Sequence, residues 1–340
     1  MLMFVQWQYM LYPYKLKKRS AMETNGRKEL SRAIIRLFAK VFLIVIVLLL
    51  VAALLIRAVG PRTTEIRDWY DLDAIRNNLD GRYILINHLD SASAGYEELA
   101  SATANQGKGW QPIGTRNNPF SGIFDGQGLE IRNLCINRPD EKYIGVFSFL
   151  RHGCSIKNVG VVNVDIIGNY YVGSLVSTVC GIVNNCYSSG RVTGNKDVGG
   201  LVGIIGSTDY CHARGTVSNS YSTVNISGDY RVGGLVAWNN WGDVSTSYSS
   251  GKVTGNEDVG GLVGYNDING RVTNSFYDIQ TSGQAISSVR RGETTVEMYD
   301  INTFLEAGWN ITAVTFGSTN TTCIWNIVDG ETYPFLSWQA

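Results

Sequence analysis

The sequence is poor in residues that commonly carry catalysis. It holds only three histidines, His88, His152 and His212, and no His-Glu-x-x-His pair, which excludes the helical zinc site that this motif builds. It has no Gly-x-Ser-x-Gly nucleophile elbow and no phosphate-binding glycine loop that ends in lysine. We therefore assign no catalytic residue, no metal site and no cofactor, and an enzyme is the less favoured class.

Helical periodicity is also missing from a long central region. Residues 144–278 have no stretch in which Leu, Ala, Glu and Lys recur at helical spacing, and they are rich in Val, Ser, Thr, Tyr and Gly. β-Branched and aromatic side chains suit a pleated surface, and Gly-Asn pairs favour turns. The region is therefore predicted to be all-β.

One six-residue phrase recurs through this region. It reads Val-Gly-Gly-Leu-Val-Gly at 198–203 and 259–264 and ends in Ala at 232–237, with looser copies that begin at Val172 and Ile144. A second phrase, Val-x-Asn-Ser-Tyr-Ser, keeps step with it, so one unit has about 27 residues, and such a period indicates stacked units. One unit cannot bury a core alone, but a stack can. We predict a parallel β-helix (β-solenoid) whose coils pair about 4.8 Å apart.

Equivalent residues of successive coils should form vertical rows. A bend at the glycine pair is needed for the first valine and the leucine of the phrase to share the interior. The expected interior rows are a valine row (Ile144, Val172, Val198, Val232, Val259) and a leucine row (Phe147, Leu175, Leu201, Leu235, Leu262). The expected flanking rows are an aromatic stack (Tyr187, Tyr221, Tyr248, Phe276) and a turn row (Asn169, Asn195, Asp229, Asn256).

The repeated phrase resembles the GLUG motif, a Gly-Leu-any-Gly repeat of bacterial and archaeal surface proteins. The match is strongest at 200–203 and 261–264, while Ser177 and Ala237 replace the last glycine in other copies. The resemblance covers residues 144–278 and implies a surface module of adhesin-like proteins, with no assigned catalytic residue. The family also occurs beside an IgA-cleaving zinc peptidase, whose metal motif this chain lacks.

The start of the chain carries a charge asymmetry and an apolar run. Residues 1–57 hold ten of the 29 Lys and Arg but only two of the 29 Asp and Glu, so the remainder has a formal charge of −8. Residues 41–56 are uninterrupted apolar, close to the length of about 20 that a transmembrane helix needs. The sequence predicts a basic cytoplasmic leader (1–36) and a single transmembrane helix (37–58) with the N-terminus inside. An uncleaved anchor is favoured over a cleaved signal.

The other boundaries follow from where the repeat fades. Residues 62–82 are predicted to form a linker and a short capping helix, because apolar residues recur there at i, i+3 and i+7. The β-solenoid should occupy 83–286. Residues 287–340 hold several tryptophans and are predicted to form an aromatic cap over the last coil. Whether translation starts at Met1 or Met22 stays open.

The six cysteines do not have zinc-site spacing. Disulfides are permitted outside a membrane. Cys154 and Cys180 fall one coil apart and are the predicted pair, although Cys211, one coil further on, could compete for Cys180.

One register position alternates in charge. Asp197, Arg231 and Asp258 precede the Val-Gly phrase in three successive coils. We expect an exposed and weakly stabilising ion-pair ladder. An acid/base pair is disfavoured because the arginine lies between the two carboxylates.

The most variable segments are the loops that follow the leucine strand of each coil. Insertions in repeat folds lie along one edge, which is often the binding edge. Exposed rings beside Asn and Asp suit contact with sugars or proteins, although the same side chains could simply cover a corner of the fold. The candidate binding residues are Tyr210, His212, Trp238, Asn239, Asn240, Trp241, Asp243, Tyr265 and Asp267.

These observations favour a membrane-anchored, extracytoplasmic β-solenoid that acts as a surface binding, adhesion or display module. The predicted location is the cell membrane, as a single-pass protein with its C-terminal domain outside. The expected partners are the membrane and an external glycan or protein, with no nucleic acid. The alternatives are a polysaccharide-processing parallel β-helix enzyme and a purely architectural spacer.

Overall fold

The computed structural model describes residues 35–49, 62–206, 211, 214–285 and 292–339. The chain divides into two units, Met1–Arg62 and Thr63–Ala340. In the first unit, residues 35–49 form a helix, α1. No helix of the described residues combines the length and the apolar character that a membrane crossing requires. The predicted leader lies almost entirely outside the described residues, and of the predicted segment 37–58 the structure describes residues 37–49.

A short cap begins the second unit. β1 (Thr63–Ile66) pairs in parallel with β2 (Arg82–Leu85), so the parallel stack starts before the predicted boundary at 83. Between these strands, α2 (Trp69–Ala74) begins after Asp68, whose side chain accepts a backbone N–H of the first turn. A 3-10 turn (Ile75–Asn77) ends the helix before the predicted end at residue 82, because β2 begins there. The next elements are α3 (Tyr96–Leu99), α4 (Ala104–Gly107), β3 (Ile123–Arg132) and β4 (Cys135–Asn137).

The repeat region is mostly β, with parallel strands stacked coil upon coil in three curled sheets. Sheet 2 consists of β5 (Lys142–Ile144), β8 (Tyr170–Gly173), β12 (Lys196–Gly199), β17 (Tyr230–Gly233) and β22 (Glu257–Gly260). Sheet 3 consists of β6 (Phe147–Leu150), β9 (Val176–Val179), β13 (Val202–Ile205), β18 (Val236–Asn239) and β23 (Val263–Asn266). Sheet 1 joins β2 to β4 with β7 (Ser155–Ile167), β10 (Ile182–Asn184), β11 (Tyr187–Thr193), β14 (Gly215–Ser218), β15 (Tyr221–Ser222), β16 (Asn225–Ser227), β19 (Gly242–Ser245), β20 (Tyr248–Ser249), β21 (Val253–Thr254), β24 (Arg271–Thr273) and β25 (Phe276–Asp278).

The glycines of the repeated phrase are required by two different close approaches. A Cβ on Gly233 would collide with the carbonyl oxygen of Val236 in its own coil, and one on Gly234 would collide with the carbonyl of Gly261 in the next coil. The first glycine therefore permits the sharp bend between sheets 2 and 3, and the second permits tight stacking. The last glycine is less constrained, since Ala237 occupies that position and is fully buried.

The predicted interior rows are confirmed, with one correction. Strand register aligns the valine row, and Leu201, Leu235 and their counterparts in the leucine row are 0–1% exposed. Phe147, however, pairs with Val176 and not with Leu175. Ile144 and Phe147 are three residues apart, whereas their partners Val172 and Val176 are four residues apart. The bend in this coil is therefore one residue shorter, which shifts Phe147 out of the leucine row.

The aromatic stack is confirmed and carries the C-terminal segment. Tyr221 stacks on both Tyr187 and Tyr248, each at 4.9 Å between ring centres. Of the three tryptophans expected over the last coil, Trp309 packs on Phe276 of that coil, whereas Trp325 packs beside Tyr221 and Tyr248 and Trp338 beside Tyr187. The segment thus lies along the side of the stack, where it buries the rings. Its elements are α5 (Ile279–Ser282), β26 (Gly292–Glu293), α6 (Thr295–Tyr299), α7 (Ile301–Glu306), β27 (Ile311–Ala313), β28 (Trp325–Ile327) and β29 (Phe335–Leu336).

Candidate functional site

Sheet 2 presents a row of lysine and tyrosine side chains on the side of the solenoid. Strand register aligns Lys142, Tyr170, Lys196, Tyr230 and Glu257, one from each of five coils; we name this set the Lys-Tyr row. The Lys142 ammonium lies 4.9 Å from the centre of the Tyr170 ring, and the Lys196 ammonium lies 4.5 Å from that of Tyr230. These are cation–π distances. Because the row is exposed or half-buried, it offers both charge and ring surface to a ligand.

The following position in the same strands forms a second row with an unusual backbone. Tyr143, Tyr171, Asp197, Arg231 and Asp258 all have positive φ, between 51° and 65°. Non-glycine residues adopt this left-handed region rarely, and here it recurs in five successive coils; we name this set the left-handed row. In the first two coils, the rings of Tyr143 and Tyr171 stack at 5.1 Å with 14° between their planes.

The charged members of the left-handed row form a buried ion pair, not an exposed ladder. Arg231 Nη2 donates to Asp197 Oδ2 at 3.0 Å, and its Nε lies 2.5 Å from Oδ1. The Asp197 side chain is 0% exposed and that of Arg231 is 9% exposed. Burial raises the pKa of Asp197 to about 6, although Arg231 and Lys196 act in the opposite direction. The expected exposed ladder is therefore wrong: Asp258 does not join the pair and faces the Tyr230 hydroxyl.

The predicted aromatic edge lies beside this ion pair, because Trp238 contacts Arg231. Trp238 aligns with Tyr265 of the next coil and with Ile204 of the preceding one. The Arg231 guanidinium lies 3.7 Å from the centre of the Trp238 ring, which is half-buried, whereas Tyr265 is 39% exposed. Trp238 Nε1 is buried and has no hydrogen-bond partner among the described residues. Trp238 is therefore partly a packing residue, and Tyr265 is the more exposed of the two rings.

The remaining edge candidates have mixed surroundings. Asn239 is fully buried, and its amide donates to Asn266 Oδ1 at 2.8 Å and to a backbone carbonyl at 3.2 Å, so its predicted binding role is corrected to a structural one. Asp243 lies 3.5 Å from Arg214 in an ion pair. The half-buried residues Asn240, Trp241 and Asp267 are tied to neighbouring coils through backbone hydrogen bonds. Tyr210 and His212 lie outside the described residues.

The disulfide connects a different pair from the predicted one. Cys180 bonds to Cys211, and Cys154 is a free, buried thiol. The Cys154 Sγ donates to the Arg151 carbonyl at 2.8 Å, and burial raises the pKa of this thiol to about 12. The partner of Cys180 is thus Cys211, the competing candidate.

The Lys-Tyr row was missed by sequence reasoning although its signal was available. Residues 142, 170, 196 and 230 read Lys, Tyr, Lys, Tyr at the same step before each copy of the phrase. Across the described parts of the chain, no group of three or more His, Cys, Asp and Glu residues could hold a metal ion.

Known proteins share the fold and the repeat of this chain. A crystal structure from Bacteroides ovatus of a protein proposed to be an immunoglobulin A1 protease aligns with a TM-score of 0.60, covering 82% of this chain and 93% of that one at 17% identity. This likeness supports the β-helix architecture alone. The family model described as "The GLUG motif" matches residues 228–254 and 255–276, so the chain carries GLUG repeats, as the resemblance implied.

Two curated relatives share part of the sequence. Halomucin from Haloquadratum walsbyi is 33% identical over 145 residues, which are 42% of this chain and 2% of that protein. A proposed Gly-rich membrane protein from Evansella cellulosilytica is 33% identical over 124 residues, 34% of this chain and 13% of that protein. The chain thus spans only a small fraction of the length of these relatives.

Proposed function

We propose that this chain is an extracellular β-solenoid module that binds a surface ligand through the side of its stack. The observation that carries the proposal is the Lys-Tyr row, which repeats two cations and two rings in register along one face. Tyr265 of sheet 3 adds one exposed ring at the predicted edge. Tyrosine rings on a rigid scaffold lose little conformational entropy when a ligand binds, which suits a surface that must recognise an extended polymer.

A glycan is the proposed ligand. Tyrosine presents an apolar face with a polar tip, and the two lysines are two coils apart, or about 10 Å. Such an arrangement can contact successive units of a polysaccharide that carries negative charge.

Membrane attachment is the second part of the proposal. One relative is named as a membrane protein, which supports a membrane or surface location. The side chains of Leu37, Phe38 and Phe42 in α1 are 63–71% exposed, and they lie in the apolar part of the predicted anchor. Adhesion, the single-pass topology and the cytoplasmic N-terminus are proposals on the same footing.

The binding test uses the full chain in detergent on immobilised neutral and acidic polysaccharides. Lys142→Ala with Lys196→Ala should weaken retention by at least about tenfold, or 1.4 kcal/mol, without unfolding, since neither lysine is in the core. Lys252→Ala, an exposed lysine outside the row, is the matched control and should bind normally. If no polysaccharide is retained, the spacer is favoured; if a polysaccharide is cut, the enzyme alternative replaces the proposal.

A separate experiment tests topology. Protease added to intact cells should digest the solenoid and leave the basic leader protected. Degradation of the leader alone would reverse the orientation and remove the extracellular assignment.

A further inference from the structure

A polar cleft lies at the N-terminal end of the solenoid, and no residue of the Lys-Tyr row lines it. It has a volume of about 420 Å³, within the range of roughly 300–1,000 Å³ that is usual for small-ligand sites. It forms between the 3-10 turn, the loop at 117–121 and the turn after β6. Polar and charged residues that line it include Arg76, Asn77, Asp80, Asn117, Asn118 and Arg151.

The frame of the cleft is fixed by backbone hydrogen bonds. The Ser121 N–H donates to the Leu79 carbonyl at 2.8 Å, which joins the loop to the cap, and the Arg151 N–H donates to the Phe120 carbonyl at 2.8 Å. Asn118 closes its own loop, because its carbonyl accepts from the Thr115 N–H at 2.9 Å and its N–H donates to Thr115 Oγ1 at 3.0 Å. Binding here would therefore order few backbone torsions, which lowers its entropic cost.

The side chains that face this frame are uncommitted. Within the described residues, the amides of Asn77, Asn117 and Asn118 and the guanidinium of Arg151 make no hydrogen bond or ion pair to the protein. Each amide carries two donor hydrogens and one acceptor oxygen. A rigid backbone that presents several unused amides is complementary to a ligand with many hydroxyl groups, since each hydroxyl can both donate and accept.

The charges of the cleft indicate an anionic group on the ligand. Arg76 is already engaged by Asp73 at 2.6 Å and by the Pro112 carbonyl at 2.8 Å. Asp80 lines the cleft but forms no ion pair with Arg151 in the described part of the chain. Arg151 is thus the available cation, and a guanidinium binds a carboxylate through two parallel hydrogen bonds.

We propose that this cleft binds a carboxylated saccharide, with its carboxylate on Arg151 and its hydroxyl groups on the asparagine amides. A nucleotide fits less well, because no aromatic ring lines the cleft to stack on a base. The cleft site is distinct from the Lys-Tyr row and does not depend on it.

The test titrates the full chain in detergent with trigalacturonate and, separately, with neutral galactotriose. We expect trigalacturonate to bind with a Kd of about 1 mM or tighter and galactotriose to bind at least tenfold more weakly. Arg151→Gln and Asn118→Ala should each raise the Kd for trigalacturonate at least tenfold with an unchanged circular dichroism spectrum. Arg191→Gln, which alters an exposed arginine paired with Asp165 on sheet 1, is the control and should leave the Kd unchanged.

Three results would overturn the cleft proposal. They are the absence of trigalacturonate binding, equal binding by the Arg151→Gln protein, and loss of binding only when Lys142 and Lys196 are replaced. The last result would move the acidic sugar to the side of the stack and would support the proposed function while removing the cleft site. Failure of the Lys-Tyr row test with retained, Arg151-dependent binding would do the opposite.

Discussion

Replacing Gly234 with alanine tests the steric account of the repeated phrase. A Cβ at this position would lie well under 3.0 Å from the carbonyl oxygen of Gly261 in the next coil, and backbone atoms cannot move aside as a flexible side chain can. The added methyl group must push two coils apart at the bend between sheets 2 and 3. The variant therefore perturbs stacking without changing charge or polarity.

The expected cost follows from the bonds that cross this junction. Gly234 N–H donates to the Gly260 carbonyl at 3.1 Å, and the N–H groups of Leu235 and Val236 donate to the Leu262 carbonyl at 2.8 and 3.1 Å. With a net value near 1 kcal/mol for each hydrogen bond, separation of the coils costs about 3 kcal/mol or more. Lost packing of the buried Leu235 adds to this figure.

Thermal and urea unfolding followed by circular dichroism measure the effect. A loss of about 3 kcal/mol should lower the midpoint temperature by roughly 6–12 °C in a unit of this size. Gly317→Ala is the matched control, because Gly317 has a φ of +77° but no atom within 4 Å of its Cβ position, so it should cost only about 1–2 kcal/mol of backbone strain. Equal losses in the two variants would refute the stacking argument.

Four further predictions concern groups that the fold buries. The Arg231→Tyr single variant leaves a buried carboxylate without its partner, at a cost of about 3–5 kcal/mol. Replacing Asp197 with tyrosine as well should continue the stack of Tyr171 and restore most of that stability. Urea unfolding of the parent, the single variant and the double variant measures both effects. Because the folded pKa of Asp197, about 6, is raised above the unfolded value near 3.9, its contribution to stability is present below about pH 4 and is lost as pH rises through 6. The free energy of unfolding of the parent relative to Asp197→Asn should therefore fall by up to about 3 kcal/mol between pH 4 and pH 7. Cys180→Ser should cost about 3 kcal/mol, and alkylation followed by peptide mass spectrometry should label the Cys154 thiol only after unfolding.

The interior of the solenoid could be predicted because stacking turns sequence period into spatial register. Once Val198 and Leu201 recur at a fixed step with large apolar side chains, parallel pairing aligns their counterparts, and the structure confirms the alignment for Val232 and Leu235. The exception is Phe147, because the bend that precedes it is one residue shorter than in the next coil. Gly145 follows Ile144 just as Gly173 follows Val172, so the glycine position in the sequence did not show this difference. Vertical rows are thus readable from sequence only where each coil has the same number of residues at its corner.

The site was less predictable because residue type does not indicate the backbone conformation there. Asp is enriched among non-glycine residues with positive φ, but Tyr and Arg are not, so the residue types at Tyr171 and Arg231 did not indicate a left-handed position. Likewise, the expected exposure of the ion pair rested on charge alone, whereas Trp238 of the adjacent sheet covers the Arg231 guanidinium. The spacing of Cys154, Cys180 and Cys211 in the sequence could not decide which two of them pair, and the structure pairs Cys180 with Cys211.

The two rows of sheet 2 separate what the fold constrains from what it leaves free. The backbone of the left-handed row is nearly the same in all five coils, yet its side chains change from stacked tyrosines to a buried ion pair. The glycines and the valine and leucine rows hold that backbone in place, so the residues between them can vary without a change of fold. A repeat of this kind can therefore acquire a binding face one coil at a time, because each substitution in the Lys-Tyr row meets neighbours above and below but does not enter the core. The alternation of Lys142, Tyr170, Lys196 and Tyr230 is what such freedom permits, and its regularity is the reason to seek the ligand there.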